Sequence, residues 1–298
     1  MSLIPLGRVE CPPACPRTHS PAEPSIHVVR FALDSTVLPL VTDTLPIAEA
    51  ARRALMSLHG RLTERHGVRG RSPVLSGKDS DGHPLTGHGH AYYLPTDEDG
   101  DGRLDHLTVF ARDGFGPAER RALDRLRQLN TGRWGEQRYP LRLRLLGMAA
   151  LDEYHPGLLG ESKVWVSATP YIATRHARTR GRGRIDIRSP HARAEFLIAD
   201  LRRQLRDVLG EVVGNADHVR IDPIFDGGSF KIAERGRPIE FQRCRSKPGD
   251  DGGRRLAGSF RIELPKPVPG PVALGHASHF GMGLFLPDDM RIGRPHTC

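Results

Sequence analysis

Residues 87–110 read GHGHAYYLPTDEDGDGRLDHLTVF. Two apolar runs, 91–94 and 104–111, flank an acidic turn, Asp99-Gly100-Asp101-Gly102, whose residues tolerate the positive φ of a tight reversal. The pattern predicts an antiparallel hairpin. It gathers three histidines, a tyrosine pair and four aspartates on one short segment, so any chemistry these side chains carry would sit on a rigid platform.

Upstream, residues 26–33 make an apolar strand. Pro46 is placed to open a helix in which Ile47, Ala51, Ala54, Leu55, Leu58 and Leu62 recur at helical spacing. Residues 67–89 read as loop. Downstream, Pro117 opens a second helix with Ala122, Leu126 and Leu129 on one face, and residues 141–146 alternate apolar side chains with arginine as a strand does. The order is βαββαβ, the ferredoxin-like arrangement.

A second unit begins at Val164-Trp165-Val166. Its helix has Ser189 as N-cap, Pro190 at the first helical position, and Leu197, Leu201, Leu205 and Val208 on one face. Strands are expected at 218–224, 238–244 and 258–264. From Pro265 onward the run PKPVPGPV excludes a helix, so this unit lacks its last helix and ends in a glycine-rich run, LGHASHFGMGLFLP. The expected fold is α+β, with two tandem ferredoxin-like (RRM-like) units at 26–150 and 160–290, the second degenerate. A leader or linker at 1–25 precedes them and a tail at 291–298 follows.

With 298 residues, 38% of them hydrophobic and 27% charged, the chain has enough apolar material for two globular cores. A net charge of +9 calls for a polyanionic partner, nucleic acid ahead of an anionic membrane. Lysine occurs only at Lys78, Lys163, Lys231, Lys247 and Lys266. The codon bias of a GC-rich genome explains the arginine excess, although a guanidinium also matches phosphate geometry better than an ammonium. Four cysteines make no disulfide framework in a chain of this length, and neither a signal peptide nor a membrane-spanning apolar run is evident. A reduced, cytoplasmic protein is expected. Cys11 and Cys15 have metal-like CPPAC spacing, but no second pair follows and prolines interrupt the segment, which is read as unstructured.

Three segments carry a family resemblance: RFALDSTVLPLVTDTLPIAEAARRALM (30–56), GHAYYLPTDEDGDGRLDHL (89–107) and WVSATPYIATRH (165–176). With the glycine-rich stretch 275–283, GHASHFGMG, they resemble the CRISPR repeat-processing endoribonucleases, the sixth Cas family of the RAMP superfamily. The nearest resemblance is to the repeat-processing half of the fused subunit of type I-U (I-G) systems, in which a capping, fifth-Cas-family half comes first. It spans about residues 26–287. It implies metal-independent cutting of repeat RNA, in which a ribose 2′-hydroxyl attacks the adjacent phosphate and leaves a 2′,3′-cyclic phosphate and a 5′-hydroxyl. It also implies retention of the guide-RNA product and assembly with other effector subunits, including a capping subunit. Such chemistry needs a base and an acid working near pH 7 and a cation for the extra charge; histidine suits the first two roles, lysine or arginine the third.

The family places its histidine near the first helix or before the next strand, so His59, His66, His83, His88 and His90 qualify. His88 and His90 are preferred, because flanking glycines would let RNA approach, with Lys78 in the same loop as the cation. Each could equally be an ordinary loop histidine, while His59 beside a buried helical stripe and His66 at a helix C-terminus have structural explanations. Expected RNA contacts are Arg175, His176, Arg178, Arg180, Arg182 and Arg184 in the densest positive run, and Gly275, His276, Ser278, His279, Gly281 and Gly283 in the glycine-rich loop. A solvated insertion is the plain reading of the arginine run, and tight packing that of the glycines.

In the acidic turn, Asp97, Asp99, Asp101, Gly102 and Asp105 take positions 1, 3, 5, 6 and 9 of a calcium loop, but position 12 is Thr108 rather than glutamate. A hydrogen-bonded hairpin turn is preferred, and no metal or other cofactor is assigned. Two other functions remain open: a non-catalytic RNA-binding subunit, and a two-histidine phosphoesterase acting on small cyclic phosphates. The latter would use His106-Leu107-Thr108 and His276-Ala277-Ser278 as paired motifs.

Overall fold

In the first strand, IHVVRFALD (Ile26–Asp34, β1), Val29, Phe31 and Leu33 line one face and Val28 the other, all buried. A strand apolar on both sides needs cover on both sides, and that demand organises the molecule. The computed structural model describes residues 25–130, 140–154, 157–213, 218–232 and 236–290; the leader, with Cys11 and Cys15, and the tail lie outside them.

α1 (Thr44–Leu62) covers one face of β1 with a stripe of Leu45, Ala48, Ala51 and Leu55, each fully buried. It starts two residues before Pro46, which sits in the first turn where backbone N–H groups have no intrahelical acceptor to lose. β2 (Tyr92–Thr96) and β3 (His106–Phe115) form the expected hairpin, with Tyr92 opposite Phe110 and Thr96 opposite His106. α2 (Pro117–Asp124) and β4 (Leu141–Ala149) complete the unit. The antiparallel order is β2-β3-β1-β4, with a short strand Gln128–Leu129 outside β4. This is the ferredoxin-like order. The segment 67–89, expected as loop, contains one helical turn, Pro73–Ser76, capped by Ser72 Oγ accepting the Leu75 N–H at 3.1 Å.

The second half repeats the order. β5 (Glu161–Ser167), α3 (Pro190–Val213), β6 (Arg220–Pro223), β7 (Phe260–Pro269) and β8 (Leu284–Pro287) pair as β8-β5-β7-β6, and no helix joins β7 to β8. Ser189 Oγ accepts the Ala192 N–H at 3.3 Å, and Leu197, Leu201 and Leu205 are fully buried beneath α3. β7 runs on through Pro265 because its pairing with β5 breaks between Glu263 and Val268, where the prolines have no ladder bond to make.

One strand expectation fails. Residues 238–244 do not form a strand: Pro238–Glu240 is a 3₁₀ turn, and the segment beyond it crosses to the first unit. There Phe241 is buried, and Glu49 takes Arg245 Nε at 3.0 Å and the Ser246 N–H at 2.9 Å. Tertiary packing wins over the local alternation.

The core under α1 and α2 includes Ile172, Ile232, Phe241, Phe280 and Met282 from the second half. The opposite face of the first sheet, through Val28, Tyr92, Leu94 and Phe110, packs on Leu158, Leu159, Ala168, Ala273 and Leu284. Among the described residues no helix is long and apolar enough to cross a membrane.

Candidate active site

His88 and His90 lie in the bend that leads into β2, and Tyr92 opens that strand with Phe110 across from it in register. β2 is an edge strand, and the glycine-rich loop of the second half lies along that edge. A single 3₁₀ turn, Ser278–Phe280, straddles it. His279 falls on one side, its ring stacked on Tyr92 and on His90 with centroids 3.8 Å away in each case. Phe280 falls on the other side, facing Tyr93 and buried under α1.

The histidines are joined by polar contacts as well. His279 Nδ1 lies 3.2 Å from the Ala91 carbonyl oxygen, and His279 Nε2 lies 3.4 Å from His88 Nδ1. His90 packs against Gly77, the left-handed residue (φ +66°) that ends the 73–76 turn. A Cβ there would lie 2.8 Å from His90 Nε2, so a larger residue would displace the ring.

All three imidazoles are held below the ordinary histidine range. Burial pushes His279 down to about 3, with the neighbouring rings of His90 and His88 adding to the effect. His88 is lowered by burial and then by the Arg112 guanidinium, against a smaller opposing pull from Asp207. His90 is lowered by burial, His88 and Arg52, with Asp113 opposing. At neutral pH the cluster is therefore uncharged and half-buried, with the Arg112 and Arg52 guanidinium groups acting on it, so each ring keeps a free nitrogen lone pair.

Arg112 was missed in the sequence. It is exposed, near enough to Tyr92 and His88 to act on both electrostatically, and follows Phe110 by two positions on the same side of β3. The strand alternation was the available signal. Lys78 is exposed immediately after Gly77, with its backbone bridged to Pro84. Of the second-choice histidines, His59 is buried 3.5 Å from Glu119 and His66 is an exposed residue at φ +50° beyond α1. His83 is exposed and pairs with Asp79 at 3.5 Å.

The expected RNA contacts divide. Arg178, Arg180, Arg182 and Arg184 are all exposed on a loop closed by the Ile185 N–H donating to the Arg178 carbonyl at 2.7 Å. Arg175 and His176 are exposed as well but are paired with carboxylates of the protein. Asp200 is fully buried and accepts Tyr171 Oη at 2.8 Å, the Thr174 N–H at 2.7 Å and Arg175 Nε at 2.9 Å. Burial would raise its carboxyl, but these bonds outweigh burial and leave it below the usual carboxylate range. His176 Nε2 meets Asp251 at 2.7 Å.

In the glycine-rich loop, His279 belongs to the stack, whereas His276 lies 3.4 Å from Asp250 and Ser278, Gly281 and Gly283 are buried. Gly283 adopts φ +61°, and a Cβ there would sit 1.9 Å from the Leu274 carbonyl oxygen. Gly275 is packed against the Tyr171 ring. These small residues answer packing demands.

The acidic turn is closed by its own carboxylates: Asp97 accepts the Gly100 N–H at 2.8 Å, Asp101 the Arg103 N–H at 2.8 Å, and Asp105 the Glu98 N–H at 3.0 Å. Carboxylate oxygens of Asp97, Asp99 and Asp105 lie within 4.8 Å of one another. The paired H-x-T/S motifs offer no reachable hydroxyls, since Thr108 is fully buried and Ser278 nearly so. His106 Nδ1 is engaged by Asp105 at 2.8 Å.

No protein-family model and no curated protein matches the sequence. Among solved structures, one described as "An RAMP protein binding different RNA substrates" is similar over 87% of this chain and 98% of its own. The two are 13% identical, with a TM-score of 0.42.

Proposed function

We propose that the protein is a metal-independent endoribonuclease that cuts CRISPR repeat RNA into guide RNA and retains its product. In this reading it works as the repeat-processing component of a type I-U (I-G) effector, alongside a capping subunit. The observation that carries the proposal is the convergence of His88, His90 and His279 at the β2 edge, uncharged at neutral pH and bordered by Arg112.

In the proposed reaction a histidine of the pair His88 and His90 takes the proton from a ribose 2′-hydroxyl. The 2′ oxygen forms a bond to the adjacent phosphorus, the bond from phosphorus to the 5′ oxygen breaks, and the leaving oxygen takes a proton from the second histidine, which acts from its minor imidazolium form and is left as neutral imidazole. The products are a 2′,3′-cyclic phosphate and a 5′-hydroxyl. In this reading Arg112, which acts electrostatically on His88, or Lys78 from the preceding loop would offset the extra negative charge. The exposed arginines at 178, 180, 182 and 184 supply phosphate contacts away from the reacting atoms.

The test is incubation of the pure protein with end-labelled repeat RNA in EDTA. Cleavage to a cyclic phosphate, abolished by a 2′-deoxy substitution next to the cut, is the expected result. Strict dependence on magnesium or manganese would overturn the mechanism, and binding without cleavage would make the chain a non-catalytic RNA-binding subunit.

A further inference from the structure

We infer that His279 is a positioning residue that holds His88 in the tautomer protonated at Nδ1, leaving Nε2 as the only basic nitrogen of His88. The catalytic consequence rests on the reading above; the tautomer itself does not.

One group in the cluster has a role that admits no choice. The Ala91 carbonyl oxygen can only accept, so His279 Nδ1, 3.2 Å away, must carry the hydrogen. A neutral imidazole carries one hydrogen, so His279 Nε2 then holds a lone pair and can only accept. The atom facing it at 3.4 Å is His88 Nδ1, which must therefore donate. Neutral His88 thus has its hydrogen on Nδ1 and its lone pair on Nε2. The sequence of roles runs from the backbone carbonyl just before β2 through the half-buried His279 ring to the reactive one. Burial keeps the middle ring uncharged throughout the working range, and stacking on Tyr92 and His90 fixes its plane.

For the proposed reaction this assigns the base. The proton leaving the 2′ oxygen goes to His88 Nε2, and the imidazolium so formed donates a charge-assisted Nδ1–H bond to His279. That bond strengthens as the proton arrives, which is when it aids the reaction. The groups able to influence the titration of His88 are Arg112 on β3, Asp207 on α3 and the rings of His90 and His279; Arg52 and Asp113 act on His90.

The experiment is nitrogen-15 NMR of the histidine rings of the free full-length protein above pH 7. It is paired with single-turnover pH–rate profiles for the wild type, His279→Phe and His279→Gln. Phenylalanine keeps the stack and removes both ring nitrogens, whereas glutamine can still donate one way and accept the other. Wild-type His88 is expected as the Nδ1–H tautomer, and His279→Phe should release it to the commoner Nε2–H form. The cleavage plateau should fall about 10- to 100-fold, as when other groups that orient a functional imidazole are removed. The acid limb should move to lower pH, because imidazolium loses more than imidazole does when the acceptor goes. A mere packing defect would lower the plateau without moving the limb, and His279→Gln should recover part of the rate. An Nε2–H His88 in the wild type overturns the inference, as does a His279→Phe variant whose tautomer and limb are unmoved. Absence of cleavage with the Nδ1–H tautomer present would sink the nuclease reading and leave the tautomer assignment standing.

Discussion

At the residue scale, two histidines stand out because they flank Gly89 just before β2 and each meets the ring of His279. Removing a general acid or base typically slows a reaction by about 100- to 10,000-fold. His88→Ala and His90→Ala should show losses of that order in single-turnover cleavage, with repeat-RNA affinity nearly unchanged because arginine–phosphate pairing carries binding. The acid limb of the rate profile should lie below the ordinary histidine value of about 6.5, in keeping with the depressed His88. Parental rates in the double variant would move the site elsewhere. His88 and His90 were readable from their glycine-flanked place at the strand entrance. Their partnership with His279 was not, because the contact spans 191 positions and no local pattern encodes it.

Elements bring their own demands. The hairpin, both long helices and the missing last helix of the second half were all legible, since periodicity and proline placement act locally. The segment 238–244 was misread because burial of Phe241 and the grip of Glu49 on Arg245 and Ser246 override its alternation. The arginine loop makes a second prediction. Neutralising Arg178, Arg180, Arg182 and Arg184 together should weaken RNA binding and flatten its salt dependence, the log–log slope falling by about 0.7 to 0.9 for each phosphate that is no longer neutralised. Arg175 is left out of that set because Asp200 holds it. An unchanged slope would show the loop to be only a solvated insertion. The glycine-rich loop makes a third. At φ +61° an alanine costs about 1–2 kcal/mol in backbone strain alone, and its Cβ would also strike the Leu274 carbonyl. Gly283→Ala should therefore lower the melting temperature and, by shifting the turn, reduce cleavage as well.

For the whole molecule, protons link stability to pH. His88, His90 and His279 titrate lower in the folded chain than in the unfolded one, so the unfolded chain binds protons more readily. The stability they confer is complete above the unfolded value near 6.5 and is lost as pH falls through it. With His279 pushed down to about 3, this residue alone should cost about 2 kcal/mol between pH 7.5 and 5. Thermal melts across that range should show the loss in the wild type and a shallower one in His279→Phe; equal slopes would mean His279 is not held neutral. The excess of positive charge, legible from composition, favours a polyanion without saying where it lies. Only the packed structure shows that the two halves share their interiors, Phe280 and Met282 completing the core beneath α1. That sharing sets a timetable for biosynthesis. A nascent chain folding from its N-terminus carries an unfinished apolar seat until residues 280–282 emerge, so chains stalled before that point should be sticky and captured by chaperones.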